Sequence, residues 1–290
     1  MQTIDHRHDL DGKVIIVTGA TAGVGEVTAR ELAGMGATLV LIGRSAEKCR
    51  MVAEDIKSRT GNPEVSSLVG DLSAQADVRR LAAEFKQQYH RLDVLVNNAG
   101  AFFMARRESV DGIEMTFALN HLAYFLLTNL LLDVLVASAP ARVVSVSSGA
   151  HYGGQLNFDD LEGKQNYGGW KAYGQSKLAN ILFTKELARR LEGQGVTANT
   201  LHPGFVASEF AKNNLGILKG PYSLVQKLIA ISPEAGAQTS IFLASSPEVQ
   251  DVTGQYFDKK KVVEPSAAAK DEAAGRRLWE ISARMTGLSA

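Results

Sequence analysis

The sequence predicts an α/β fold: a doubly wound parallel sheet with helices on both faces. Two observations carry this prediction. Short apolar runs rich in Val, Ile and Leu recur along the chain, and segments with helical periodicity separate them. Continuous apolar runs are typical of strands buried on both faces, and alternation of strand and helix favours parallel pairing. Consecutive βαβ units of this kind build one sheet and cover both of its faces.

The elements follow in a regular order. The first strand ends at Thr18-Gly19, Gly34 and Gly36 end the first helix, and Ser45 is a candidate N-cap for the second. Strands are predicted at residues 13–17, 38–42, 65–70, 92–96, 142–148, 196–202 and 255–257. The longer helices are predicted at residues 45–59, 75–89, 111–136, 170–191 and 234–244, and a terminal helix contains Arg276, Leu278, Ile281 and Met285.

The chain contains no linker rich in Pro, Gly or Ser and no internal repeat. We therefore expect a single domain over residues 13–258. An N-terminal segment, residues 1–12, precedes it. A C-terminal extension, residues 259–290, is expected to be helical and to pack on the domain, because its apolar spacing suits a helix.

Charge and cysteine content exclude several classes of protein. The 290 residues include 31 Lys+Arg and 31 Asp+Glu, so the formal net charge is zero. This balance argues against a basic face for nucleic acid and against electrostatic docking on anionic lipid. A single cysteine, Cys49, excludes an intrachain disulfide and a four-thiolate metal site. The histidines are too scattered to suggest another metal site, so we predict none.

The apolar stretches are short or interrupted by polar residues. Residues 1–12 are polar, and the longest apolar stretch, residues 117–139, contains Asn120, Asn129 and Asp133. These features argue against a signal peptide and a membrane span. We expect no membrane anchor, a cytoplasmic location and a small-molecule ligand.

A glycine-rich turn lies between the first strand and the first helix. It has the sequence Thr18-Gly19-Ala20-Thr21-Ala22-Gly23-Val24-Gly25, with the spacing G-x-x-x-G-x-G. Glycines let the backbone turn sharply and approach a pyrophosphate, to which the helix N-terminus offers free N–H groups and a partial positive charge. The turn predicts a dinucleotide site; a tight turn without a ligand is the alternative. The expected contacts are Gly19, Thr21, Ala22, Gly23, Val24 and Gly25.

The end of the second strand bears on the choice of cofactor. NAD-binding folds usually carry an acid near this point for the ribose diol, whereas an Arg accommodates the 2′-phosphate of NADP. Gly43 stands where the acid is expected, and Arg44 follows it. The pair favours NADP(H) over NAD(H); a solvated surface Arg is the alternative.

Asp71 and Leu72 follow the third strand. Ligands collect at the carboxyl ends of strands in such sheets, so we expect both residues to contact the cofactor. For Asp71 the alternative is a helix N-cap for the next segment.

Tyr173 and Lys177 stand four residues apart at the start of a predicted helix, so they share one helix face. A free tyrosine has a pKa near 10, and a cation beside it lowers that pKa by roughly one to three units. Tyr173 is therefore a candidate general acid/base. A surface Tyr and Lys at chance spacing are the alternative.

Taken together, the motifs resemble the short-chain dehydrogenase/reductase family. In order they are Thr18-Gly19-x-x-x-Gly23-x-Gly25, Asn97-Asn98-Ala99-Gly100, Ser148, Tyr173-x-x-x-Lys177 and Pro203-Gly204. The resemblance extends from about Lys13 to Phe257. It implies a Rossmann-like fold of about seven strands, a nicotinamide cofactor and hydride transfer at a carbonyl or alcohol carbon.

The resemblance also implies a role for each matching residue. Tyr173 would protonate the carbonyl oxygen in reduction, Lys177 would lower the pKa of Tyr173 and hold the nicotinamide ribose, and Ser148 would hydrogen-bond the substrate oxygen. Only one of Ser147 and Ser148 can face the site, and the second is the active serine of the family. Asn120 would support a water relay to the lysine, unless it faces solvent or bonds a backbone group. The remaining expected cofactor contacts are Asn98, Ala99, Gly100, Pro203, Gly204 and Val206.

Further stretches resemble the retinol dehydrogenase-like branch of this family. They are residues 176–183, 201–204, 236–240 and 276–279. The long interval between Ser148 and Tyr173 (173 − 148 = 25) is similar as well. Members of that branch mostly prefer NADP, in agreement with Arg44. The glycine turn departs from the branch, since Ala20-Thr21-Ala22 stands where Asn and Ser or Thr are frequent.

An apolar segment follows Pro203-Gly204. Residues 205–232 are expected either to cover a hydrophobic substrate or to pack on a partner subunit in a homo-oligomer. Phe102, Phe103 and Met104 are expected either in the pocket wall or in the core.

These inferences predict an NADP-dependent oxidoreductase that transfers a hydride between nicotinamide and a carbonyl or alcohol carbon of a hydrophobic substrate. The alternative is a catalytically idle cofactor-binding or scaffold protein on the same fold. Such a protein would be expected to lack Tyr173, Lys177 or Ser148, and all three are present. The glycine spacing disfavours a third class, the sugar-nucleotide epimerases and dehydratases.

Overall fold

The computed structural model describes residues 9–204 and 231–289, in which eight strands form one sheet. Their spatial order is β3-β2-β1-β4-β5-β6-β7-β8. The strands are β1 (Val14–Thr18), β2 (Thr38–Gly43), β3 (Val65–Val69), β4 (Val94–Asn97), β5 (Ala141–Val146), β6 (Val196–His202), β7 (Tyr256–Asp258) and β8 (Lys261–Val262). Strands β1 to β7 pair in parallel, whereas β8 runs antiparallel to β7. The predicted doubly wound α/β fold is confirmed.

The eighth strand adds to the seven that were expected. The chain reverses between Asp258 and Lys261, which face each other in the β7–β8 ladder. The two residues of the loop, Lys259 and Lys260, have positive φ angles of 48° and 64°. Such angles suit the tight turn of a two-residue hairpin, which usually contains Gly or Asn. A run of lysines lacks that signal, so no strand was predicted after residue 257.

The described helices lie in two layers, one on each face of the sheet. They are α1 (Gly23–Gly34), α2 (Ala46–Thr60), α3 (Gln75–Gln88), α4 (Met115–Phe117), α5 (Ala123–Leu130), α6 (Leu132–Ala137), α7 (Gly169–Arg190), α8 (Pro233–Ser245) and α9 (Glu272–Met285). Side chains of β1 alternate between the layers: Ile15 and Val17 pack with α1, α2 and α8, whereas Val14 and Ile16 pack with α3, α5 and α7. Full burial of each such side chain contributes about 1.5–3 kcal/mol to stability.

The prediction of one helix over residues 111–136 is wrong in detail. Helix α4 begins at Met115, a π-helical turn (Ala118–Leu122) follows, and Leu131 separates α5 from α6. The start is set by Glu114, whose carboxylate accepts hydrogen bonds from two free amides of the first turn. Residues 120–128 are all buried, so no exposed face marks the helical phase and the sequence could not reveal the π-helical turn.

Helix α9 packs against α7. The Trp279 ring stacks on Phe183 at 5.8 Å and meets the edge of Phe125 at 4.9 Å, and the Arg190 guanidinium covers it at 4.3 Å. The C-terminal helix therefore completes the α3–α5–α7 layer. In the part of the chain that the structure describes, no helix is both long and apolar enough to cross a membrane.

Candidate active site

A cleft of about 920 Å³ lies at the carboxyl ends of strands β1 to β6. The structure brings nearly all predicted site residues together there. The lining includes Gly19, Thr21, Ala22, Gly23, Val24, Gly25, Arg44, Asp71, Leu72, Asn98, Ala99, Gly100, Ser148, Tyr173, Lys177, Pro203 and Gly204. Asn120 is fully buried and does not line it. Val206 and residues 205–230 of the predicted lid lie outside the described residues.

The glycine turn packs closely against the segment after β4. Gly19 has φ +65°, and a Cβ on it would lie 2.8 Å from the Cα of Ala99. A Cβ on Gly25 would collide with the Asn98 side chain and with the Gly19 carbonyl. Glycine at both positions is therefore required for this turn, whatever the turn binds.

Thr18 and Asn98 fasten the same two segments together. The Thr18 Oγ1 accepts hydrogen bonds from the amides of Asn98 at 2.8 Å and Ala99 at 3.0 Å. In return, Asn98 Nδ2 donates to the Thr18 carbonyl at 2.9 Å. Asn98 thus lines the cleft, but its carboxamide holds the turn in place.

The amino end of α1 opens onto the cleft. Its N-cap is Ala22, and no side-chain hydrogen bond from the described residues caps the helix. The first amides of a helix are free donors, and the helix dipole adds partial positive charge. This end of α1 therefore presents donors that suit an anionic group such as a pyrophosphate.

Arg44 and Asp71 lie on the cleft wall with different surroundings. Arg44 is exposed, and its guanidinium has no ion-pair partner within the part of the chain that the structure describes. The Asp71 carboxylate accepts hydrogen bonds from the Ser73 amide at 2.9 Å and hydroxyl at 2.7 Å. The alternative that Asp71 caps α3 is wrong, because the Gln75 amide instead donates to Asp111 at 2.9 Å.

The candidate catalytic side chains meet where α7 crosses the end of β5. Lys177 Nζ donates to the Val146 carbonyl at 3.1 Å and lies 5.6 Å from the centre of the Tyr173 ring. Ser148 hydrogen-bonds the Tyr173 phenol. Ser147 instead donates to the Lys177 carbonyl at 2.7 Å. The second serine therefore faces the phenol.

Burial is the largest influence on the pKa values of Tyr173 and Lys177. It raises the pKa of Tyr173 to about 12, although the hydrogen bond with Ser148 acts in the opposite direction. It also lowers the pKa of Lys177 to about 7. Lys177 was expected to lower the pKa of Tyr173, but the net direction in the structure is upward. The Lys177 ammonium lies 5.6 Å from the ring centre, and with a pKa of about 7 it loses part of its charge near neutral pH.

Asn120 lies behind the cleft wall. Its Oδ1 accepts from the Ala101 amide at 2.8 Å, and its Nδ2 donates to the Ala101 carbonyl at 3.0 Å and to Ser176 Oγ at 3.1 Å. Of the alternatives left open by the sequence, a bond to backbone groups is observed. Asn120 thereby ties the segment after β4 to the helix that carries Tyr173.

Several lining residues were missed by the sequence analysis. The Trp170 ring packs against Phe102 at a tilt of 38°, with the ring centres 4.6 Å apart. Its position three residues before Tyr173 on one helix face was the available signal. His202 ends β6, and its Nδ1 accepts from the Gly149 amide at 3.1 Å. Burial lowers the pKa of His202. The other lining residues not assigned to the site are Ile42, Gly43, Gly70, Ser73, Ala101, Arg107, Met115, Leu119, Val146, Ser147, Gly149 and Ala150.

The three residues after Ala101 divide between wall and surface. Phe102 and Phe103 are buried and line the cleft, whereas Met104 is 52% exposed and does not. The sequence left open whether these residues lie in the pocket wall or are buried. Phe102 and Phe103 do both.

Tyr124 is a buried phenol whose hydroxyl has no hydrogen-bond partner within the described chain. Its ring centre lies 5.9 Å from Lys177 Nζ. Tyr124→Phe removes an unsatisfied polar group, so we expect the free energy of unfolding to rise by about 1 kcal/mol in urea denaturation. The control is Tyr89→Phe, because the Tyr89 hydroxyl is paired with Ser66 at 2.8 Å and its loss should destabilise the protein. Equal destabilisation by both variants would contradict the expectation.

Comparisons with known proteins agree on one family. Residues 13–215 match the family model described as short chain dehydrogenase. Human retinol dehydrogenase 13 is 46% identical over 287 residues, which cover 97% of this chain and 86% of that protein. A crystal structure of a protein from Mycobacterium paratuberculosis has a TM-score of 0.78 at 33% identity and covers 96% of this chain and 95% of that one. A Pseudomonas aeruginosa RhlG/NADP active-site complex has a TM-score of 0.70 at 29% identity, covering 87% and 96%.

Proposed function

This chain belongs to the short-chain dehydrogenase family of oxidoreductases, in its retinol dehydrogenase-like branch, and we propose that it uses NADP(H). The proposed reaction transfers a hydride between nicotinamide and a carbonyl or alcohol carbon of a hydrophobic substrate. Tyr173 is the proposed general acid/base. The observation that carries the proposal is that one cleft holds the glycine turn, the free amino end of α1 and the Tyr173–Ser148–Lys177 cluster.

The residues of the cleft fit a nicotinamide dinucleotide. The turn and the α1 amides would hold the pyrophosphate, and Arg44 would face the 2′-phosphate. Asn98, Ala99 and Gly100 form the wall between them and Lys177, which would hold the nicotinamide ribose. When bound, the cofactor supplies or accepts the hydride, and its oxidised ring carries a positive charge.

The protonation state of Tyr173 suits proton donation to a carbonyl oxygen. Because burial raises the pKa of Tyr173 to about 12, the phenol keeps its proton at neutral pH. In reduction, Tyr173 would give that proton to the oxygen as the hydride reaches the carbon, and Ser148 would donate a hydrogen bond to the same oxygen. The reverse steps would oxidise an alcohol.

The substrate side of the cleft supports an apolar substrate. The apolar part of the described wall there consists of Phe102, Phe103, Met115, Leu119 and Trp170, and the Arg107 guanidinium lies 5.8 Å from the centre of the Phe103 ring. Aromatic and aliphatic walls with a few polar groups are typical of sites for hydrophobic small molecules. The similarity to human retinol dehydrogenase 13 makes retinal and retinol the first substrates to test.

A panel of carbonyl compounds and alcohols, assayed with NADPH and NADH, tests the proposal. The panel contains retinal, steroids and aryl ketones, and cofactor binding is measured separately by fluorescence titration. We expect turnover with at least one apolar carbonyl compound and a preference for NADPH. Bound cofactor without turnover across the panel would favour the catalytically idle alternative.

Arg44→Ala is expected to weaken NADPH binding about ten- to a hundredfold while changing NADH binding less than about twofold. The reason is that a charge-assisted hydrogen bond contributes roughly 1.5–3 kcal/mol, which corresponds to that range of Kd. Fluorescence titration measures the Kd values of NADPH and NADH. Arg50→Ala is a suitable control, because Arg50 is exposed on α2 but does not line the cleft. Equal weakening of both cofactors by Arg44→Ala would refute the role of Arg44.

A further inference from the structure

The backbone carbonyl of Ser148 is held twice by one residue, His151. It accepts hydrogen bonds from the His151 amide at 3.1 Å and from His151 Nδ1 at 2.7 Å. His151 lies in the 3₁₀ turn that follows β5 (Gly149–Gly153), and Ser148 is the N-cap of this turn. Because both hydrogen bonds end on the same oxygen, they fix the orientation of the peptide group between Ser148 and Gly149.

The other ring nitrogen of His151 faces the C-terminal extension. His151 Nε2 accepts a hydrogen bond at 3.1 Å from the amide of Ser266, which lies 115 residues later in the sequence. The imidazole is fully buried, and its centre lies 4.8 Å from that of the Tyr256 ring, at an angle of 62°. His151 therefore connects the Ser148 turn with a distant segment of the chain.

The two partners of the His151 ring determine where it carries its proton. A carbonyl can only accept a hydrogen bond, and a backbone amide can only donate one. His151 therefore carries a proton on Nδ1 and a lone pair on Nε2, so its ring is neutral. Burial also lowers the pKa of His151, which favours the same neutral form. His202 is the opposite tautomer, because its Nδ1 accepts a hydrogen bond from the Gly149 amide.

The turn that His151 closes also sets the direction of the Ser148 hydroxyl. The Ser148 Oγ accepts a hydrogen bond from the Ala150 amide at 3.2 Å, so the position of that amide directs the side chain. This arrangement leaves the hydroxyl proton for the Tyr173 phenol and for a substrate oxygen. A donor stabilises developing charge only when it is held in place before the reaction. The position of the Ala150 amide depends in turn on the hydrogen bonds that His151 makes to the Ser148 carbonyl.

We propose that His151 is a positioning residue for the reaction. It holds the Ser148 turn in the orientation in which the hydroxyl faces Tyr173 and the substrate oxygen, and Ser266 holds the His151 ring. His151 does not line the cleft, so its effect on the reaction passes through Ser148. This inference rests on the proposed function, in which Ser148 acts on the carbonyl oxygen.

His151→Phe keeps an aromatic ring and removes both hydrogen bonds of the imidazole. We expect kcat for carbonyl reduction to fall about ten- to a hundredfold, because a misplaced donor loses much of the effect of a well-placed one. The Kd of NADPH should change less than about twofold, as for a substitution away from the cofactor. His151→Asn should restore most of kcat, because its Nδ2 can take the place of Nδ1 and donate to the Ser148 carbonyl. His90→Phe is the control, because His90 is exposed and lies outside the cleft lining.

A double-mutant cycle with Ser148→Ala separates positioning from a general loss of stability. If His151 acts through Ser148, His151→Phe should lower kcat less than about twofold when Ser148 is already alanine. A merely structural role would lower kcat by the same factor in both backgrounds. Equal factors would overturn the proposal.

Ser266→Pro and Ser266→Ala test the contribution of the C-terminal extension. Proline has no amide proton, and the φ of −56° at Ser266 suits it, so the substitution removes the donor to His151 without strain in φ. Ser266→Ala keeps the amide and removes a hydroxyl that has no hydrogen-bond partner within the described chain. We expect Ser266→Pro to lower kcat about three- to tenfold, as for one lost hydrogen bond, and Ser266→Ala to leave it unchanged. The same kcat in both variants would exclude the role of Ser266.

NMR of the full chain with ¹⁵N-labelled histidine tests the arrangement without turnover. His151 should give the signal of a ring protonated on Nδ1, this signal should be absent from His151→Phe, and His202 should lack a proton on Nδ1. A proton on Nε2 of His151 instead of Nδ1 would overturn the inference, whatever the activity. If the expected tautomer is present but no carbonyl compound of the panel turns over, the proposed function fails while the contact between His151 and Ser148 stands. The two failures are therefore distinguishable.

Discussion

Tyr173→Phe should lower kcat by about 10²–10⁴-fold, the range typical of a lost general acid/base, while NADP(H) binding changes little. The substitution removes only the hydroxyl. The ring keeps its edge contacts with Phe102 at 5.9 Å and with Trp170 at 6.4 Å, so the shape of the cleft is retained. Steady-state kinetics with the best carbonyl substrate of the panel measures kcat, and fluorescence titration measures the Kd of NADPH.

Tyr152→Phe is the matched control for this substitution. The Tyr152 side chain is 58% exposed, and its hydroxyl donates to the Glu264 carbonyl at 2.8 Å, outside the cleft lining. It should change kcat less than about twofold, as is usual for surface substitutions away from a site. Turnover by Tyr173→Phe at the wild-type rate would refute the assigned mechanism.

Lys177→Met should lower kcat/KM for carbonyl reduction by about 10²-fold or more and remove its pH dependence around neutrality. Burial lowers the pKa of Lys177 to about 7, so the ammonium predominates below this pH and is lost above it. Wild-type kcat/KM for reduction should therefore fall as pH rises through about 7. The Tyr173 phenol, with a pKa of about 12, keeps its proton over this range and adds no second transition. A kcat/KM profile from about pH 5.5 to about pH 9.5 measures both effects.

Lys177→Met should also change how the free energy of unfolding depends on pH. The pKa of Lys177 falls from 10.5 to about 7 on folding, so between these values the unfolded chain binds more protons than the folded one. The free energy of unfolding of the wild type should rise with pH across that window relative to Lys177→Met. Urea denaturation at about pH 7 and about pH 9.5 tests this. If kcat/KM and the free energy of unfolding depend on pH in the same way in the wild type and in Lys177→Met, Lys177 does not titrate near neutrality.

The strands and the glycine turn could be predicted because their signals are local. Strands β1, β2 and β4 each contain a short run of buried Val, Ile and Leu, and Gly19 and Gly25 mark a turn where a Cβ has no room. The interruption of the predicted helix at residues 118–122 could not be predicted, because residues 120–128 are all buried and no exposed face marks the helical phase. The β7–β8 hairpin was missed for a similar reason, since lysines occupy the turn positions that usually carry Gly or Asn.

The candidate site likewise has some features that the sequence could predict and others that it could not. Their spacing predicted that Tyr173 and Lys177 share a helix face, because residues four apart lie on the same side of a helix. The bonds of Asn120 to Ala101 and of Asn98 to Thr18 join segments far apart in the sequence, and no local pattern reports them. Trp170 carried a usable signal, its distance of three residues from Tyr173.

By itself, the sequence determined the α/β fold and the order of its main elements, since periodicity and turn residues are properties of the chain. Through its resemblance to a family it also predicted which residues carry the chemistry. Only the tertiary structure decided how those residues behave. It gathered separate strand ends into one cleft, turned Ser148 toward the Tyr173 phenol and placed His151 between the Ser148 carbonyl and the Ser266 amide. It also set the protonation of Tyr173 and Lys177, because the pKa of a group depends on how deeply the surrounding fold buries it.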